Sequence, residues 1–426
     1  MSGRIRADVY LNPGDAAPIH VGAVADDGRS IRFAYSPKYA GPSIAPIFLP
    51  LQGRAFAFPE LRGVAAFQGL PGVLADALPD RFGTRLMNAY FKQTGERVED
   101  LSPVRRLLYI GDRAMGALSF APADGLPARA LEENVTLALL RDQARRAIQG
   151  QLDHALSEIR MAASSAGGMR AKALINWDRK TNEVGFGSAP AGNGHEPWLV
   201  KFDGVGEAPG PQPWCRLEYA YTQMAAEAGI EIAEVTLIED GELRHFAAKR
   251  FDREATRRIH VASLAGLQHV DFNVPGACGY ELAFQTCLEL GLAAPEVEEM
   301  YRRMLFNVIA CNQDDHPKQI EFLMDPGSGL WRLAPAYDLT YAHGAGYTRT
   351  HQMSVRGRVE GITRDDLLTV GRQFGVRRPE QQIDQVAQAV ARWPAFAREV
   401  DLPADWVETC RKDHRLQLAI TPTVTL

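Results

Sequence analysis

The sequence predicts an α+β chain with a β-rich N-terminal part and a mostly helical C-terminal part. Three observations lead to that reading. At 426 residues the chain exceeds what one ordinary core encloses, so two or three subdomains are expected. Early in the chain, short apolar runs are separated by Asn12-Pro13-Gly14 and Asp26-Asp27-Gly28, turn residues that join strands into hairpins. Beyond about residue 255 the pattern becomes helical, most clearly over 295–311.

Taken in order, strands are expected over 7–11, 20–25 and 30–35, then helix over 71–92. Val73, Leu74, Leu78, Phe82, Leu86, Met87 and Tyr90 recur there at helical spacing, and Pro79 starts a second helix at its first turn. An Ala-, Leu- and Arg-rich helical stretch over 130–163 leads to Ser164-Ser165-Ala166-Gly167-Gly168. Strands over 171–177, 183–187 and 197–202, a helix over 217–228 and a hairpin of 233–239 with 244–250 form a small mixed sheet. In the C-terminal part, Val297, Met300, Tyr301, Met304, Leu305, Val308 and Ile309 make one apolar stripe of a buried helix. A polar loop (312–318), a strand (320–324), the turn Asp325-Pro326-Gly327-Ser328-Gly329 and a second strand (330–333) follow. Helices over 363–374 and 379–400 complete the chain.

The net charge of −5 and pI near 6.1 do not favour a primary nucleic-acid binder. Five scattered cysteines without a Cys-x-x-Cys pair exclude a zinc ribbon and argue against a disulfide framework. The opening MSGRIRADVYLNPG holds no apolar run, and no stretch reaches the roughly 18 apolar residues of a membrane span. A soluble protein of a reducing compartment, the cytoplasm, is therefore expected, with no membrane partner.

The chemistry concentrates between residues 307 and 340. A buried helix delivers a loop with Asp314, Asp315, His316, Lys318 and Gln319; a hairpin then runs into Asp338. A tight hairpin returns the chain to its start, so Asp338 is expected beside the Asp314 loop. Phosphotransferases need two such carboxylates, one to orient the attacking hydroxyl and take its proton, the other to hold Mg²⁺. A solvated turn with Asp338 capping a helix, or metal ligation together with His316, fits the same residues. Lys201 ends an apolar strand, where a cation needs a carboxylate or phosphate partner, and Glu218 on the next helix is the natural candidate. A solvent-reaching edge lysine is the alternative. Gly167 and Gly168 let backbone N–H groups approach phosphates, with Arg170 and Lys172 adding charge; an ordinary turn reads the same way.

Residues 164–173, 248–253, 312–319 and 331–340 together resemble the HipA family, serine/threonine protein kinase toxins of bacterial toxin–antitoxin pairs, and 69–83 resembles that family's N-terminal subdomain. The resemblance implies a HipA-like, protein-kinase-like fold: an N-terminal mixed, β-rich domain with an extra N-terminal subdomain, packed on an all-helical C-terminal domain. The implied segments are 1–125, a nucleotide-covering 126–254, and a catalytic lobe over 255–426. The resemblance implies ATP and Mg²⁺ as cofactors. Asp314 becomes the catalytic base and Asp338 the Mg²⁺ ligand. Lys201 contacts phosphate, Gly167-Gly168 covers the phosphates, Phe251 lies near the adenine, and Lys318 counts among the nucleotide-binding residues. Ser165, with Ser164 beside it, is the matching autophosphorylation position. Implied partners are a small helix-turn-helix antitoxin, through which DNA is met indirectly, and a protein substrate such as an aminoacyl-tRNA synthetase. The family has Asn as second metal ligand where this chain has Gln319, one methylene longer. A nucleotide-binding pseudokinase that regulates a partner, and a small-molecule kinase, are the competing functions.

Overall fold

The computed structural model describes residues 4–14, 16–123, 135–151, 170–187, 194–206 and 210–419. The chain divides into two compact units. The first holds Met1–Pro211, Ile238–His269 and Phe322–Leu330, and the second holds Gln212–Leu237, Val270–Glu321 and Trp331–Leu426.

In the first unit, β1 (Ile5–Leu11), β2 (Ile19–Asp26) and β3 (Ile31–Tyr35) form the antiparallel meander that the turn residues predict. Asp27 closes the second turn by accepting from the backbone N–H groups of Arg29 (2.9 Å) and Ser30 (2.8 Å). Ala7, Val9 and Leu11 are fully buried in alternation, as in a sheet with one covered face. A two-residue strand, β4 (Phe56–Ala57), flanks β3. Helices α1 (Gly72–Ala75), α2 (Arg81–Gln93) and α3 (Pro103–Ile110) follow, and β5 (Leu118–Ala121) returns to pair with β1, giving the order β4-β3-β2-β1-β5. The break before α2 falls at Pro79, which precedes the N-cap rather than sitting in the first turn as expected. Asp80 is the N-cap, its Oδ1 accepting from Gly83 N at 2.7 Å.

Of the helical stretch expected over 130–163, α4 covers Leu137–Ile148; much of the remainder lies outside the described residues. The second sheet contains β6 (Lys172–Trp177), β7 (Val184–Phe186) and β8 (Glu196–Lys201). After α5 (Trp214–Glu227), which groups with the second unit, come β9 (Val235–Asp240) and β10 (Leu243–Lys249). Their order is β7-β6-β8-β10-β9. Ala173, Ile175, Trp177, Trp198, Val200 and Ala247 make one core with Phe82 and Leu86 of α2 and Leu140 and Ala144 of α4. Beyond β11 (Arg253–Glu254), β12 (Arg257–Arg258) and β13 (His260–Ser263), the short α6 (Leu264–Gln268) meets α1 glycine to glycine. A Cβ on Gly72 would stand 2.2 Å from the Gly266 carbonyl oxygen.

In the second unit, β14 (Cys278–Gly279) leads into α7 (Tyr280–Glu289) and α8 (Ala294–Ile309). All seven residues of the predicted apolar stripe on α8 are buried. The hairpin follows as β15 (Glu321–Met324) and β16 (Trp331–Leu333), and the boundary between units falls within it. Asp325 Oδ1 accepts from Gly327 N (2.9 Å) and Ser328 N (2.8 Å), and Gly329 takes φ +72°, so the turn closes as its residues predict. The expected all-helical C-terminal domain is corrected here. Besides β16, β14 pairs in parallel with β17 (Met353–Ser354), and most of the chain from Asn312 to Ile362 is irregular. Gly344, Gly346, Gly357 and Gly361 weaken helix in this stretch, whose backbone groups are met partly by isolated bridges such as Asn312 with Ala342. The helix expected over 379–400 is two, α10 (Pro379–Ala391) and α11 (Trp393–Glu399), because Pro394 lacks an N–H; α9 (Arg364–Gln373) precedes them and α12 (Ala404–Asp413) follows. No helix among the described residues is long and apolar enough to cross a membrane, and all five cysteines are buried and free.

Candidate active site

In the second unit, α8 ends at Ile309 and the chain reverses through Cys311, whose φ is +59°. Asn312 turns back on the helix, with Nδ2 donating to Asn307 Oδ1 at 2.9 Å, and Gln313 N donates to Ala342 O at 2.9 Å. The loop is thereby pinned on both sides. The next two residues divide the labour. Asp314 leaves 39% of its side chain exposed, whereas Asp315 leaves none. Asp315 accepts from Tyr280 OH, His351 Nδ1 and Gln352 N, each at 2.8 Å. His316 Nε2 lies 3.9 Å from Asp314 Oδ1, and burial lowers its pKa to about 4 against the opposing pull of Asp338. It is neutral near pH 7.

The hairpin then brings the chain back. Gln319 Nε2 donates to Asp338 Oδ2 at 3.4 Å, and Tyr337 OH donates to Lys318 O at 2.8 Å. Asp338 takes φ +55°, an uncommon backbone for a non-glycine residue and one often found where a side chain must be aimed. Lys318 Nζ sits 5.3 Å from the centre of the Phe272 ring, which also packs against His316. Among the described residues no group of three His, Cys, Asp or Glu could hold a metal. Mg²⁺ takes one or two protein oxygens and fills its shell with phosphate and water. The donor set of Asp338 and Gln319 fits that demand, provided the Gln319 amide turns its oxygen where its NH₂ now stands.

In the first unit, Lys201 and Lys172 are paired directly across β8 and β6, and Phe246 pairs with Lys201 from β10. Strand alternation puts these three on the face opposite the α2–α4 core, together with Leu174 and Leu199. Lys201 is 7% exposed, with Nζ 5.6 Å from the Phe246 ring centre. Lys172, expected to add charge toward phosphates, is ion-paired with Asp80 at 2.9 Å, the two side chains 3% and 4% exposed. In the 248–253 motif, Arg250 holds Asp252 through both guanidinium arms (2.9 and 2.7 Å) and Arg253 joins them at 2.6 Å. These cations, with a backbone bond from Gly116, hold the buried Asp252 carboxyl far below its usual range.

The structure thus brings Asp338 to Gln319, and Asp314 to His316, within one unit. Phe251 is half-buried beside the Arg250–Asp252 network. Lys201 and Arg170 belong to the first unit and Glu218, buried on α5, to the second. Ser164, Ser165, Gly167 and Gly168 lie outside the described residues. Sequence reasoning assigned no role to Asp80, although an acid directly before a helical run is an N-cap signature. It also missed His351, whose Nδ1 meets Asp315 and for which no local signal exists.

Comparison with known families matches residues 8–121 to the HipA N-terminal domain and residues 164–393 to the HipA-like C-terminal domain. Among solved structures, the chain is similar to HipA in a complex of the Shewanella oneidensis MR-1 toxin–antitoxin proteins HipA and HipB with operator DNA. There the identity is 18%, 96% of each chain is covered, and the TM-score is 0.68. A weaker match is the Helicobacter pylori proinflammatory kinase CtkA, with 14% identity over 54% of this chain and 90% of that one, at TM-score 0.34. The comparison with curated proteins found no match.

Proposed function

The chain belongs to the HipA family, and from that premise we propose that it is an ATP-dependent serine/threonine protein kinase, the toxin of a bacterial toxin–antitoxin pair. The observation that carries this reading is the return of Asp338 to Gln319 on the loop bearing the half-open Asp314. Asp314 orients a substrate hydroxyl and accepts its proton as the oxygen bonds to the γ-phosphorus of ATP. The bond from that phosphorus to the β,γ-bridging oxygen breaks, and ADP leaves. Asp338 and Gln319 would hold Mg²⁺, which when bound would neutralise charge on the phosphates. Lys201 contacts the phosphates; Gly167 and Gly168 cover them, Arg170 and Lys318 add charge, and Phe251 borders the adenine. Lys172 supports this face through Asp80 rather than acting alone.

Ser165, or Ser164, is the proposed autophosphorylation position. A small helix-turn-helix antitoxin is the proposed partner, because the similar Shewanella protein was solved with HipB and operator DNA. The substrate is a protein, with an aminoacyl-tRNA synthetase as the family's example, and the proposed compartment is the cytoplasm. The test is transfer from γ-labelled ATP by the purified protein. Label should reach the protein itself or an added protein and vanish in Asp314→Ala. No transfer by the wild type, or equal transfer by the variant, refutes the enzyme. The longer amide stem of Gln319 favours one second reading, a nucleotide-binding regulator without transfer. Nucleotide binding without label transfer would decide for it.

A further inference from the structure

Asp314 carries the proposed general-base role. It lies in an irregular loop, half-open to solvent, and general-base chemistry demands that its carboxylate be aimed. Its two neighbours are held. With its amide oriented to satisfy both contacts, Gln313 donates to Thr348 O (2.9 Å) and accepts from Arg415 Nη2 (2.8 Å). On the other side, Asp315 meets His351 Nδ1 at 2.8 Å, and His351 Nε2 meets Arg415 Nη1 at 2.7 Å. Both residues flanking Asp314 are therefore tied to a single guanidinium about one hundred residues further along the chain.

The hydrogen-bond roles in this chain are forced. Arginine has donors only, so His351 Nε2 must offer its lone pair to Arg415. The ring proton then sits on Nδ1 and is donated to Asp315 Oδ2. One neutral tautomer satisfies both contacts, and His351 and Asp315 are sealed from solvent. Arg415 is itself fixed at the end of α8: Nη1 also donates to Val308 O (3.2 Å), and its backbone N–H to Ile309 O (2.8 Å). A cation at the C-terminal end of a helix complements the carbonyls left unpaired there. A second route closes the ring, from Asn312 to Asn307 (2.9 Å), Asn307 to Tyr280 OH (2.9 Å) and Tyr280 to Asp315 (2.8 Å).

We propose that Arg415 and His351 are positioning residues for phosphoryl transfer, a buried Arg415–His351–Asp315 relay that with the Gln313 contact aims the Asp314 carboxylate. The proposal rests on the kinase reading above. It assigns to the segment after α12 a part in catalysis, without contact to either substrate.

The experiment uses the full chain with Arg415→Met, His351→Phe, His351→Asn and the Arg415→Met/His351→Phe double variant. Transfer from labelled ATP to the protein or to myelin basic protein is measured beside affinity for AMP-PNP with Mg²⁺. A carboxylate misplaced by about 1 Å costs on the order of 10²-fold in rate. Arg415→Met and His351→Phe should each lose about that much, with AMP-PNP affinity within about twofold of wild type. The double variant should lose no more than the worse single one, since both cut one path. His351→Asn, whose amide can replace the Nδ1–H donor, should recover part of the rate. Rates within threefold of wild type, losses that multiply, or affinity and rate falling together would overturn the relay. Should the wild type transfer no phosphate, the kinase reading fails, and the relay is judged by amide hydrogen exchange. Arg415→Met must speed exchange across 311–319 and 351–352 at least tenfold over wild type, and unchanged exchange there refutes it.

Discussion

Replacing Asp80 by Asn removes a charge while keeping shape and capping. Asp80 Oδ1 caps α2 by accepting from Gly83 N (2.7 Å), and Oδ2 stands 2.9 Å from Lys172 Nζ. Asn is as good an N-cap as Asp, so the helix start survives the change. The ion pair does not. Lys172 is 2% exposed, and removing one partner of a buried pair costs about 3–5 kcal/mol. Asp80→Ala loses the cap as well and should cost about 1 kcal/mol more. In Asp80→Asn/Lys172→Met both charges are gone, so the loss should be well below that of either single variant. Guanidinium titration followed by tryptophan fluorescence suits this region, because Trp177 and Trp198 lie in the same sheet core. A loss below about 0.5 kcal/mol for Asp80→Asn, or equal losses for Asn and Ala, would refute the assignment of the pair as a principal tie. Additive losses in the double variant would do the same.

Three further outcomes follow from the geometry. His260 is fully buried, and burial lowers its pKa to about 4 from the ordinary 6.5. The unfolded chain takes up the proton first, so stability is full above pH 6.5 and is lost as pH falls toward 4, by on the order of 3 kcal/mol for this residue; denaturation midpoints at pH 7.5 and 4.5 should differ less in His260→Gln than in wild type. A Cβ on Gly266 would stand 2.1 Å from Asp76 Oδ2 and strain the α1–α6 contact, so Gly266→Ala should cost about 1–3 kcal/mol by overpacking, read by the same titration. Gln319→Asn shortens the amide stem to the family's length; it should lower the Mg²⁺ concentration giving half-maximal label transfer, and an unchanged or raised requirement would show that Gln319 does not serve the metal.

Much of the fold was legible because its causes are local. Turn residues Asp26-Asp27-Gly28 and Asp325-Pro326-Gly327-Ser328-Gly329 close hairpins with their own side chains and glycines. The apolar stripe of α8 follows from spacing within one helix. The return of Asp338 to the Asp314 loop was equally readable, since a short hairpin leaves the chain nowhere else to go. The C-terminal part was read as more helical than it is, because helical stretches on both sides hid the irregular segment between them.

What the sequence by itself determined is therefore the order of elements, the family, and the presence of charged side chains inside apolar strands. Lys172 was read there only as added charge toward phosphates, although burying a charge demands a partner. The tertiary structure chose Asp80, ninety-two positions earlier, and linked Asp315 through His351 to Arg415, one hundred positions later. Such partners are selected by how helices and sheets pack, a long-range outcome that leaves no trace in the spacing of neighbouring residues.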